Sequence, residues 1–293
     1  MFNFINNFNQ SQSRSKFKPV FLLIVITAAV LLFNSNAAAR IFILPTRAIM
    51  EEGDRTFTFR MLNNGEEAST YRIGIENMIM NEEGRLIRAD SESAPELEDN
   101  QFLARDLIQF SPRQVTIAPE GEQIIRLQML PRADMDAGEY RAHIQFQEIP
   151  DESSSAESDG ENDSISIGLK PVYGFSVPVI YRHGSTSVNI DLENVSVEEE
   201  DDSYQLKLDL KRSGNSSAYG SIEVYHIAED GREQQIGKQG GIAVYTEIDE
   251  RTEKVKLNFS DIESPKAGRL HIIYKNREPN RDNILAEAYL ENW

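Results

Sequence analysis

Residues 204–210 read Tyr204-Gln205-Leu206-Lys207-Leu208-Asp209-Leu210. Tyr204, Leu206, Leu208 and Leu210 fall on one side of an extended chain, and Gln205, Lys207 and Asp209 fall on the other. This period-two alternation marks a strand with one buried and one wet face. The same pattern recurs in SVNIDLENVSV (187–197), GSIEVYHI (220–227), IAVYTEI (242–248), KVKLNF (254–259), RLHIIYK (269–275) and ILAEAYL (284–290). Upstream lies a second set: IFILPTRAIM (41–50), TFTFRMLN (56–63), TYRIGIENM (70–78), FSPRQVTI (110–117), QIIRLQML (123–130), YRAHIQFQEI (140–149) and SISIGLKPVYGFSVPVIY (164–181). Turn formers such as Asn63-Asn64-Gly65, Pro119-Glu120-Gly121 and Asp136-Ala137-Gly138 separate these runs. Short strands at this spacing predict an all-β chain of two immunoglobulin-like β-sandwich domains in tandem. The boundary is expected at Arg182-His183-Gly184, giving domains over 40–183 and 184–293.

Composition narrows the chemistry. The 293 residues carry 30 cations against 48 acids, which argues against nucleic acid as a partner because phosphate contacts need a basic footprint. There is no cysteine, so disulfides, thiolate nucleophiles and Cys-ligated zinc are excluded. His143, His183, His226 and His271 lie at least 40 positions apart, outside any short metal-ligand spacing. No G-x-S-x-G, H-E-x-x-H or P-loop occurs. Neither catalysis nor a cofactor is expected. The acidic, serine-rich stretches 89–101 and 151–164 read as solvated loops, and Glu198 to Asp202 as a hairpin tip.

The N-terminus predicts export. Residues 1–19 are polar and basic, VFLLIVITAAVLLF (20–33) is apolar, and Ala37-Ala38-Ala39 fits an A-x-A cleavage site. Cleavage is expected after Ala39, with Ala37 as the alternative. The apolar run is too short for a membrane span, so no membrane insertion is expected after cleavage. Removing residues 1–39 takes away Arg14, Lys16 and Lys18 and no acid, leaving 27 cations against 48 acids over 254 residues.

Four segments, in order, resemble the periplasmic chaperones of the chaperone–usher pilus pathway. Ile43-Leu44-Pro45-Thr46-Arg47-Ala48 is similar to the family's first strand. Phe110 to Arg113 and Ala118 to Leu127 are similar to its strand, Pro-Gly turn and strand. Gly138-Glu139-Tyr140-Arg141-Ala142-His143-Ile144, continuing to Glu148-Ile149-Pro150, is similar to its sixth strand. Gly174 to Arg182 is similar to the end of its seventh. The resemblance implies donor-strand complementation of a pilus or fimbrial subunit in the periplasm, and delivery to an outer-membrane usher. It implies that Arg47 grips the subunit's C-terminal carboxylate. Where the family places a second basic anchor the sequence has Pro178, and Lys170 lies eight residues earlier. Glu139 and Arg126 match family positions of a structural kind, and Tyr140 matches a corner tyrosine that pins a loop.

The seventh strand can lend itself to a client. Ile165, Ile167, Leu169, Pro171, Tyr173, Phe175 and Val177 put an apolar group at every odd position, and Pro171 indicates an edge strand. The expected subunit-binding residues are therefore Arg47, Ile165, Ile167, Leu169, Lys170 and Tyr173, whereas Phe175 and Val177 are expected to belong to the chain's own core. A competing reading is an exported structural or adhesive surface protein built from two immunoglobulin-like domains.

Overall fold

The computed structural model describes residues 41–94, 103–150, 172, 174–200, 203–262, 266–291 and 293. The expected signal segment, the acidic stretch 151–164 and Ile165, Ile167, Leu169, Lys170, Pro171 and Tyr173 lie outside the described residues.

The chain forms two immunoglobulin-like β-sandwiches. The first uses β1 (Ile41–Leu44), β2 (Ala48–Met50), β3 (Thr56–Asn63), β4 (Ser69–Glu76), a small hairpin β5 (Met78–Met80) and β6 (Leu86–Arg88), β7 (Ile108–Ser111), β8 (Gln114–Ile117), β9 (Glu122–Met129), β10 (Gly138–Ile149) and β11 (Gly174–His183). One sheet has the order β1-β3-β9-β7 and the facing sheet the order β2-β11-β10-β4-β8. Strands one, two, five and four of an immunoglobulin-like sandwich thus oppose seven, six and three. Inward side chains fill the space between, with Phe59 and Phe146 meeting edge to face at 6.3 Å across the sheets. The Tyr140 hydroxyl donates to the Asp136 carbonyl at 3.1 Å, the expected corner contact.

The second sandwich uses β12 (Val188–Glu200), β13 (Ser203–Gly214), β14 (Ala218–Ile227), β15 (Glu233–Val244), β16 (Glu250–Leu257), β17 (Arg269–Asn276) and β18 (Ile284–Glu291). Its sheets run β12-β13-β16 and β15-β14-β17-β18. Leu206, Leu208 and Leu210 are fully buried in its core, as their alternation requires. Gly184 makes the crossover between the sandwiches at φ +62, where a side chain would be strained and its Cβ would meet Ala137 at 2.9 Å.

Four expected strands differ in detail. FSPRQVTI breaks at Pro112, so that β7 pairs with β9 and β8 pairs with β4 in the facing sheet. IFILPTRAIM breaks in two: β1 pairs with β3, and β2 pairs in parallel with β11 in the opposite sheet. Pro45 has no N–H to continue a ladder, and the chain changes sheets over Pro45-Thr46-Arg47. The strand expected over 242–248 instead runs from Glu233 to Val244, and Tyr245 opens the turn that follows. Its first half, Glu233-Gln234-Gln235, is polar and gave no apolar row to read. The strand expected to end at Met78 stops at Glu76, and Met78 begins the β5–β6 hairpin.

Candidate functional site: the open edge of β11 and the face between the sandwiches

β11 has one partner along its whole length and a second along only part of it. β10 pairs with it from Gln147↔Gly174 to Gly138↔His183. On the other side β2 begins at Ala48↔Val179 and ends at Met50↔Tyr181. Among the described residues, the outer edge from Gly174 to Pro178 has no strand beside it. A bare row of N–H and C=O groups is a template for another strand.

Side-chain parity follows the same division. The odd row starts inside the sandwich, with Val179 fully buried and Val177 only 6% exposed. Phe175, next in the row, is 36% exposed. Val177 is core as expected; Phe175 is not, because the row leaves the sandwich there. A groove lined by Arg72, Gly74, Glu76, Gln145, Val172 and Gly174 runs along the sheet beside this end.

Arg47 sits where the cover stops, one residue before β2. It is buried, 7% exposed, beneath the second sandwich. Its Nη1 donates to the Tyr245 hydroxyl and its Nη2 to Ser217 Oγ, each at 3.3 Å. The guanidinium lies 4.5 Å from the Tyr219 ring centre and 5.4 Å from that of Tyr245. Its Nε has no hydrogen-bond partner, and among the described residues no carboxylate lies within ion-pair distance. Two tyrosines and a serine hold this charge, and the Glu278 carboxylate, engaged by Arg182, acts on it only at longer range.

Arg182 is the opposite case. It is 3% exposed; Nη1 and Nη2 reach Glu278 at 3.0 and 2.5 Å, and Nε reaches Glu139 at 3.2 Å. Glu139 also accepts from the Ser217 amide, joining the sandwiches. Burial disfavours both charges, yet the Glu278 hydrogen bond and neighbouring carboxylates raise the Arg182 pKa above the ordinary value. For Glu278, burial is likewise outweighed by the Arg182 hydrogen bond, and its pKa is held below the usual one.

Between them lies an arginine–histidine pair that sequence reasoning missed. Arg141 and His143 are on the outer face of β10, but the second sandwich buries both. Arg141 stacks on the Tyr245 ring at 3.7 Å and forms an ion pair with Glu247. His143 pairs across the ladder with Pro178 and accepts from Arg141 Nη1 at 3.2 Å. Burial first, then the Arg141 and Arg47 charges, push its pKa well below the ordinary histidine value, so the ring is neutral. Met80, Ile180, Ala243 and Tyr245 add an apolar cluster to the same face. One signal was available: Arg141 and His143 alternate with Tyr140, Ala142 and Ile144, a polar row on a strand otherwise apolar.

Of the expected subunit-binding residues, only Arg47 is described, and it lies beside the bare edge. Arg126 is exposed on β9, away from this face. Among the described residues no helix is long and apolar enough to cross a membrane, and no group of His, Asp or Glu side chains could hold a metal ion.

No family model matches the chain, and no curated protein matches it. Several solved structures of pilus chaperones are similar to it. The Pseudomonas aeruginosa CupB2 chaperone is 12% identical, with 86% of this chain and 100% of that one covered at a TM-score of 0.44. The CsuC–CsuE chaperone–subunit complex of Acinetobacter baumannii is 14% identical, with 85% and 98% covered and a TM-score of 0.43. The Salmonella enterica SafB chaperone in complex with the SafA pilin is 11% identical, with 86% and 95% covered and a TM-score of 0.40. The likeness is loose, and what this chain does is argued from its own residues.

Proposed function

We propose that this chain is an exported periplasmic chaperone that binds pilus or fimbrial-type subunits by lending them a strand and passes them to an outer-membrane usher. The carrying observation is the junction at Ala48↔Val179. There a bare strand edge begins, and there stands a buried arginine with no carboxylate. A client strand lying along Gly174 to Pro178 in the direction of β2 would end against Arg47. Its terminal carboxylate would then meet a guanidinium fork. That contact would set the register, which an alternating strand needs because a one-residue slip inverts every side chain. Phe175 would lead an apolar row through Tyr173, Leu169, Ile167 and Ile165 into the client's groove, with Lys170 beside it. The working division is a signal segment over 1–39, a client-binding domain over 40–183 and a second domain over 184–293.

The test is co-purification of a fimbrial subunit from periplasm with Arg47→Ala and with Ile167→Ser/Leu169→Ser. Losing one partner of a desolvated charge pair costs about 2–5 kcal/mol. Both variants are therefore expected to stay folded and to lose most of the one-to-one complex. Undiminished recovery with Arg47→Ala would place the anchor elsewhere, and early unfolding of the Ile167/Leu169 variant would make that row core.

A further inference from the structure

The Arg47 seat is already occupied, and by the protein itself. Tyr245 and Glu247 lie on the turn between β15 and β16. The Tyr245 hydroxyl takes Arg47 Nη1, its ring face takes the Arg141 guanidinium, and the His143 ring stands edge-on to it at 6.1 Å. Glu247, 6% exposed at the side chain, pairs with Arg141 and accepts from the Met80 amide at 2.6 Å. The two guanidiniums therefore share one tyrosine, and the one carboxylate beside them, Glu247, is paired with Arg141 alone. We propose that Tyr245 and Glu247 are an internal plug of an anion seat built from Arg47 and Arg141, and that a chain-terminal carboxylate binds by replacing them. The proposal rests on the reading of Arg47 as the client anchor.

Three features carry it. The seat is only partly satisfied, since Nε of both arginines lacks a hydrogen-bond partner. Buried guanidinium groups are ordinarily fully bonded, so the geometry suits an anion that brings more acceptors than Glu247 and a phenol provide. The second feature is location. Arg141 pairs with Ile180 and His143 with Pro178, so the seat adjoins the point where the bare edge of β11 begins. Third, the plug sits on a turn, so withdrawing it breaks no ladder. Arg212 holds the Thr246 and Ile248 carbonyls, which fixes the turn's backbone and leaves the two side chains between and beside them to swing.

A plug of this kind lowers apparent affinity by the fraction of molecules that are closed. The probe is a soluble peptide of alternating valine and threonine, with a free or an amidated C-terminus, titrated calorimetrically into the full chain. Glu247→Gln is expected to tighten the free-carboxylate peptide by about tenfold or more, since it removes the rival charge. Tyr245→Phe keeps the ring and frees only Arg47 Nη1, so about threefold is expected. The amidated peptide should gain from neither change. Unchanged or weaker binding of the free-carboxylate peptide by folded Glu247→Gln overturns the plug; should that variant fail to fold, unchanged affinity in Tyr245→Phe overturns it alone. Arg47→Ala separates the two readings. If it abolishes carboxylate preference while Glu247→Gln gains nothing, the anchor stands and the plug falls. If preference survives it, the anchor falls and the plug with it, and the absence of binding by any variant also overturns the plug.

Discussion

The two ends of β11 are built from similar parts and finished differently. At the His183 end, β2 covers the outer edge, and Arg182 is met by Glu278 and Glu139, with Glu51 at 3.6 Å. At the Gly174 end the edge is bare, an aromatic side chain stands in the open, and Arg47 is held by two tyrosines and a serine. Both arginines are almost fully buried, so burial alone does not separate them. Satisfaction does. A cation sealed among carboxylates has finished its work within the chain, whereas a cation kept dry without one has capacity left for an anion from outside.

The largest expected effect tests that contrast on stability. Arg182→Leu strands Glu139 and Glu278 together in a dry interface, and removing one partner of a buried pair costs about 3–5 kcal/mol. Arg47→Leu strands no carboxylate; it loses two hydrogen bonds of 3.3 Å and the stacking on Tyr219, worth about 1–2 kcal/mol. Urea unfolding of the two purified variants measures the difference. Equal losses would mean that the two arginines do the same structural job and would remove the reason to give Arg47 a client.

A smaller effect sharpens the point at which the apolar row changes role. Val177→Ala removes buried methyl groups from the first sandwich, and at about 0.8 kcal/mol per group the free protein should lose about 1.5 kcal/mol. Phe175→Ala, two positions along the same row, should change stability by no more than about 0.5 kcal/mol. The order reverses for client capture, which should fall with Phe175→Ala. If Phe175→Ala destabilises the free chain as Val177→Ala does, the row still belongs to the core at that position.

Much of this was readable from sequence, for a physical reason. Alternation is local, so Leu206, Leu208 and Leu210 could be assigned to a core without knowing what covers them. The corner contact of Tyr140 is also local, spanning only to Asp136. The face between the sandwiches is not. Glu139, Arg141 and His143 have the polar pattern of a solvated strand face, and they are buried only because residues some 75–140 positions later fold over them. The split of residues 41–50 between two sheets was hidden too, since both halves are apolar and only Pro45 marks the break. Arg47 was found through its neighbours in sequence, but nothing in the sequence announced Tyr219 and Tyr245 above it.

The two ends should also respond to acid at different pH. Glu278 has a depressed pKa in the fold, so the stability it contributes is present above the unfolded value near 4.3 and is lost as pH falls through the folded pKa. His143 is depressed as well, but for a base the consequence begins earlier. Below about pH 6.5 the unfolded chain takes up a proton there, and the folded chain, with Arg141 and Arg47 beside the ring and Tyr245 across it, does not. Stability then falls with falling pH until the folded pKa is reached, by about 1 kcal/mol between pH 6.5 and 5.5 for one such group. Urea midpoints of the wild type, His143→Gln and Glu278→Gln across that interval isolate the contribution. His143→Gln should flatten the loss by about that amount, whereas Glu278→Gln should lower stability throughout and leave the slope alone. A wild-type slope that survives His143→Gln would mean that the ring is protonated in the fold, and the bare end would then hold a third cation rather than a neutral acceptor.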